Sequence, residues 1–226
     1  MTIADKLTFN CLHVERALLG IMSLDELNSK ETEVYHSRRA GFEIGRLANR
    51  MASGYYASVA ALEVARDRRA KELASNILQG IDGKPYSVGY VARKDGTKHS
   101  FDFRHYLDYL SDSAVRDDFD KTWLVGALLT VGDALQAHLY LDHNPLFELL
   151  YHLRNGIAHG NKFKFTQKGL ERLKKYPAHN KLAKVKTSEF EVVESLNKKQ
   201  VLFCFMGPAD ILDLLFSIEI VLTRVC

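Results

Sequence analysis

The sequence predicts a mainly α-helical bundle carrying one or two small β-hairpin insertions, organised as a single domain over residues 1–226. Three observations lead there. Apolar residues recur at steps of three and four along most of the chain, the period of a helix with one buried face. Two stretches, 84–103 and 188–206, replace that period with strand-like residues around short polar turns. Only four prolines and no low-complexity tract or internal repeat leave no obvious place for a domain boundary, and a hydrophobic content of 46% is ample for a real core.

Ile3, Leu7, Cys11, Val14, Leu18 and Ile21 give the N-terminus an amphipathic helical pattern, and Ser23 with Glu26 has the spacing of a capping box. From Glu31 to roughly Gln79 the pattern stays helical, as one long helix or as two broken near Gly41 to Gly45 or near Gly54. Its arginines, with Glu63 and Asp67 as partners, read as an ion-paired exposed face. Alternating residues around Lys94-Asp95-Gly96 make 84–103 a hairpin, either a mobile flap or an ornament. Tyr106 to Ser111 reads as a short helical segment and Ser113 to Asp120 as an acidic connection. Trp123, Leu124, Ala127, Leu128, Val131, Leu135 and Leu139 then form the clearest core stripe in the chain. Asp133 within it is read as solvent-facing, with orientation of Arg154 from the neighbouring helix as the alternative. A short turn at Asp142 to Asn144 predicts that the next helix packs antiparallel to this one. Residues 188–206 form the second hairpin candidate, around Leu196 to Lys199, and Pro208 opens a last helix. Ile211 to Val225 is interrupted by Asp213, Glu219 and Arg224, so it reads as a buried helix that does not span a membrane.

The chemistry concentrates in Asn144 to Asn161, NPLFELLYHLRNGIAHGN. Asn144 and Pro145 are a helix start, and Gly160 is a plausible C-cap. Leu146, Leu149, Leu150, Leu153 and Ile157 line one side, while Glu148, His152, Asn155 and His159 share another and read as a wet, ionisable stripe. Arg154 and His159 lie roughly 140° apart at about 100° per residue, too far for one straight helix to aim both at one group. Either the helix loosens near Gly156, the arginine bends around, or a second copy of the chain supplies the missing group. The last option predicts a dimeric site.

The run Arg154-Asn155-Gly156-Ile157-Ala158-His159-Gly160 resembles the signature motif of the HEPN superfamily. That resemblance implies a helical bundle of HEPN type, many of whose members are metal-independent endoribonucleases in toxin, abortive-infection and CRISPR-associated systems. It implies a homodimer, RNA as partner and no cofactor, and it leaves open whether an antitoxin or regulatory partner restrains the chain. Carried over by position, it makes Arg154 and His159 the catalytic pair with Asn155 as the polar residue beside them. Some subfamilies place a tyrosine two residues after the histidine, where this chain has Asn161. The chemistry is intelligible on its own terms: RNA cleavage through the 2′-OH needs proton transfer near neutrality, which suits histidine, and charge stabilisation on phosphate, which suits arginine. A catalytically inactive HEPN-like module that binds nucleic acid, nucleotide or protein is the alternative.

The net charge of +3 is uneven. From Gly160 to Ser188 nine Lys or Arg face Glu171 alone, a local +8, so the remainder carries about −5. Lys162, Lys164 and Lys168 open this basic arm directly after His159 and are candidate RNA-backbone contacts. Phe163, Phe165 and Tyr176 are interleaved, either to stack on bases or to face the core. Cys11, Cys204 and Cys226, odd in number and without a C-x-x-C pair, argue for a reducing cytoplasm, and no secretory signal is visible. The spacings of His138, His143, His152 and His159 match no zinc pattern, so no metal is expected. Walker, Rossmann and Gly-x-Ser-x-Gly motifs are absent.

Overall fold

The computed structural model describes residues 24–67, 69–70, 77–79, 85–138, 143–185 and 188–223. The N-terminal helix expected over Ile3 to Ile21, the neighbouring Ser23, Leu139 of the expected core stripe and Asp142 of the expected turn lie outside the described residues. Helices dominate: α1 (Leu24–Ala65), α2 (Phe103–Asp108), α3 (Ser113–Ala137), α4 (Pro145–Ala158), α5 (Gln167–Lys175) and α6 (Pro208–Thr223). Three short strands, β1 (Ile77–Gln79), β2 (Pro85–Ala92) and β3 (Lys98–Asp102), pair antiparallel in the order β1-β2-β3. Among the described residues no helix is long and apolar enough to cross a membrane.

The chain groups into two compact units, one of residues 1–52 with 124–226 and one of residues 53–123. In the first, Ile44, Ala48 and Ala52 of α1, Leu124, Leu128, Val131 and Leu135 of α3, and Ile211, Leu215 and Ile218 of α6 are buried together with the apolar face of α4. Of the two readings, the unbroken helix forms: α1 runs through Gly41, Gly45 and Gly54. A Cβ on Gly45 would lie 2.9 Å from Thr223 Cγ2 and 3.1 Å from Leu222 Cβ, so this glycine is where α1 and α6 approach closely. The helix ends at Ala65, however, short of the predicted Gln79, and 77–79 is strand.

In the second unit the hairpin forms as predicted, with Ala92 opposite Lys98 and Gly96 at a positive φ of 83°. Asp95 Oδ1 accepts from Thr97 N and closes the turn (2.9 Å). Phe101, opposite Gly89, lies across the space a side chain there would fill. Ser113 to Asp120, read as a connection, is instead the first third of α3. Its Asp120 accepts a hydrogen bond from the buried Tyr55 hydroxyl (2.9 Å), and burial, with Asp120 adding, pushes that phenol up to about 12.

The second predicted hairpin, 188–206, does not form. Its backbone groups are taken by other segments: Val192 N donates to Ala178 O, Phe163 N to Lys199 O and Val201 N to Asn161 O. The local alternation was real, but its hydrogen-bond partners are distant in sequence. Glu194–Leu196 forms a 3-10 turn instead.

Candidate functional site

Helix α4 begins as its sequence dictates: Asn144 Oδ1 accepts from Leu146 N (3.0 Å), and Pro145 fills the first helical position. Leu146, Leu149, Leu150, Leu153 and Ile157 are all buried. The opposite stripe is not wet along its length. Glu148 is fully buried and His152 nearly so, Asn155 is half-buried, and only His159, the C-cap residue, is exposed.

Glu148 is buried with its charge partnered. Arg172 of α5 donates from Nε to Oε2 and from Nη2 to Oε1, both at 2.7 Å, and His143 Nδ1 donates to Oε1 at 2.7 Å. The Arg172 guanidinium also lies 4.0 Å above the Tyr151 ring, and His143 stacks on Tyr176 with centroids 3.8 Å apart. This network locks the basic helix α5 to α4. No motif signalled it, since Arg172 is remote in sequence and its role exists only once the two helices meet.

His152 lies beside this network, its ring edge-on to Tyr151 and Phe165, and its Nε2 has no hydrogen-bond partner among the described residues. Burial holds its pKa down to about 4, with Glu148 opposing and Arg172 reinforcing the shift. The fold therefore favours neutral imidazole. Above pH about 6.5 folded and unfolded chains are both neutral there, and the full contribution is present. As pH falls from about 6.5 to about 4 the unfolded chain binds a proton that the folded chain refuses, and on the order of 3 kcal/mol is lost. Urea unfolding at pH 7 and at pH 4.5 should show this loss in the native protein and a smaller one in His152→Leu.

Arg154 is held from two sides. Its Nε donates to Asp133 Oδ1 at 2.8 Å, with Nη2 2.6 Å from the same oxygen, and Nη1 donates to Asn155 Oδ1 at 3.2 Å. Asp133, read from sequence as solvent-facing, thus orients the arginine while remaining largely exposed. Gly132 makes the approach possible: a Cβ there would lie 2.8 Å from Arg154 Cγ. Gly132 and Arg154 thus bring α3 and α4 into contact. Among the described residues the guanidinium hydrogen-bonds through Nε and Nη1 while Nη2 pairs ionically with Asp133, which leaves N–H groups of a five-donor fork for an anion.

The helix does not loosen at Gly156. That residue is buried, and a Cβ on it would lie 2.5 Å from Val201 Cγ2 and 3.3 Å from Lys162 O. Gly156→Ala is expected to destabilise the fold by about 1–3 kcal/mol, and Val201→Ala in the same chain should recover part of that, read by urea denaturation. Unwinding starts instead at His159 (φ −103°, ψ 33°), followed by Gly160 and Asn161, both at positive φ. Among the described residues the His159 ring has no hydrogen-bond partner. Asn161, where some HEPN proteins carry tyrosine, serves as a clamp: its Oδ1 accepts from Leu202 N (2.8 Å) and its Nδ2 donates to Leu202 O (3.2 Å).

Compared with known proteins, the chain matches no family model, no curated protein and no solved structure. The functional reading therefore rests on the motif and on this geometry.

Of the basic residues singled out from sequence, Lys162 and Lys164 are exposed on the segment after His159, and Lys168 is exposed on α5. Phe163 between them is buried, stacked on the half-buried Phe165, and packs edge-on against Phe205, so it serves the core and is not free to stack on a base. Lys198 and Lys199, read from sequence only as part of a turn, lie across from Phe163. Lys199 O accepts from Phe163 N (2.9 Å), and Lys198 N donates to Phe163 O (2.7 Å).

Proposed function

We propose that this chain is a metal-independent endoribonuclease of HEPN type, acting as a homodimer in a toxin or defence setting under the restraint of a regulatory partner. The reading is carried by one arrangement: at the end of a single buried helix, an arginine anchored by Asp133 and Asn155 with donors to spare, and a histidine left exposed just past the helix terminus. The anchoring fixes the guanidinium before substrate arrives, which is what charge stabilisation in a transition state requires.

In the proposed reaction a neutral His159 takes the proton from a ribose 2′-OH as that oxygen attacks the adjacent phosphorus. The bond from phosphorus to the 5′-oxygen breaks, and a protonated His159 of the second copy donates to the leaving oxygen. Arg154 binds the non-bridging oxygens, whose negative charge grows during attack. The products are a 2′,3′-cyclic phosphate and a 5′-hydroxyl. Two copies resolve the angular separation of Arg154 and His159 on one helix, because each phosphate meets groups from both.

Incubating the protein with a mixed RNA pool in EDTA should yield fragments with those termini, and Arg154→Ala should not. A catalytically silent module that retains RNA on the same surface is the second reading. It is favoured by Asp133, whose carboxylate offsets the Arg154 charge, and it predicts bound but intact RNA in the same assay.

A further inference from the structure

We infer that Lys198 and Lys199 join Lys162 and Lys164 in a four-lysine ribbon that tracks the phosphate backbone of single-stranded RNA and begins beside His159. The inference rests on the reading of this chain as one that acts on RNA. Two segments far apart in sequence make the ribbon, through the pairing of residues 161–163 with 198–202 and the Lys162 bridge to Gln200. Phe163 is opposed by two residues, Lys198 and Lys199, the pattern of a β-bulge, and Lys198 holds its positive φ of 68° at that point. Paired backbone segments lie about 4.8 Å apart, so the backbones of the four lysines are close neighbours.

All four are exposed, and alternation along the strand puts Lys162 and Lys164 on the face away from the buried Phe163. None forms an ion pair among the described residues. Residues 160–170 and 195–209 contain no Asp or Glu at all. Like charges crowded across a pair of strands are unfavourable unless something anionic lies over them. A phosphate backbone supplies that charge and exchanges it for released counterions. An anionic membrane would call for an apolar anchor as well, and no large hydrophobic residue of these two segments is exposed. The ribbon also lies where the chemistry needs it: Lys162 follows His159 by three residues, so their Cα atoms are within about 11 Å.

The test is fluorescence anisotropy of a labelled oligouridylate on the full-length His159→Ala protein in EDTA, so that cleavage does not interfere. Two pairs of substitutions are compared with it, Lys162→Gln with Lys164→Gln and Lys198→Gly with Lys199→Gln. Glycine suits the left-handed backbone at 198, so the second pair removes charge without adding strain, and unfolding curves check that both variants fold. Each pair is expected to weaken binding about 10-fold near 0.1 M salt and to flatten the log–log salt dependence by about 1.4, or 0.7 per lysine. Binding by the Lys198 and Lys199 pair at the level of the parent overturns the ribbon, as does a parent that binds phosphatidylserine vesicles and no RNA. Loss of binding in both pairs alongside a native protein that never cleaves RNA would retain the ribbon and remove the nuclease. Cleavage by the native protein with Lys198 and Lys199 dispensable would do the reverse.

Discussion

Replacing His159 with alanine is expected to slow RNA cleavage by at least about 100-fold while leaving the unfolding curve of the protein in place. The size follows from the loss of the group proposed to move a proton in the transition state, a role typically worth 10²–10⁴ in rate. The unchanged stability follows from its location: His159 is exposed, caps α4 through its backbone, and offers no side-chain hydrogen bond to the described residues. Asp133→Asn makes an instructive partner. It keeps the shape of the Arg154 contact but removes its charge, so cleavage should fall by a smaller factor, about 10-fold, through looser positioning of the guanidinium. Initial rates on a fluorogenic RNA, taken with unfolding curves on the same preparations, separate the two. Wild-type rates from His159→Ala would end the catalytic assignment of that residue.

The second large effect is on stability. Glu148→Ala is expected to cost about 3 kcal/mol, because it strips the carboxylate from Arg172 and leaves a half-buried guanidinium uncompensated. In a chain of this length that is a fall in Tm of roughly 6–12 °C. Replacing both members, Glu148→Leu with Arg172→Met, should recover most of the loss, since a buried ion pair removed whole leaves no orphaned charge. If the double variant is no more stable than the single one, the network holds α5 through its hydrogen-bond geometry and not through charge balance.

Much of α4 was legible in the sequence because its determinants are local. Asn144 and Pro145 start it, five leucines and isoleucines at helical spacing bury one face, and Gly160 follows its end. The same local logic misplaced Glu148 and His152. Spacing puts them on one azimuth with Asn155 and His159, but whether that azimuth meets water depends on what packs there. Near the start of the helix it meets Arg172 and Phe165; at the end it meets solvent. Asp133 shows the converse, an exposed acid whose role depends on an arginine that α4 carries to it. The hairpin at 84–103 was readable from its Asp-Gly turn, whereas 188–206 had equal alternation and no hairpin, because residues 161–163 and 178–180 took its hydrogen bonds.

The sequence by itself determined the helical class, the core face of α4 and the spacing of Arg154 and His159, since periodicity and caps act between residues a few positions apart. Only the tertiary structure decided that Glu148 is buried in an ion-paired network, that Asp133 holds Arg154 over Gly132, and that Lys198 and Lys199 lie beside Lys162 and Lys164. Those outcomes join residues twenty or more positions apart. Burial and pairing at that range are set by which segments pack together, a property that local patterns do not encode.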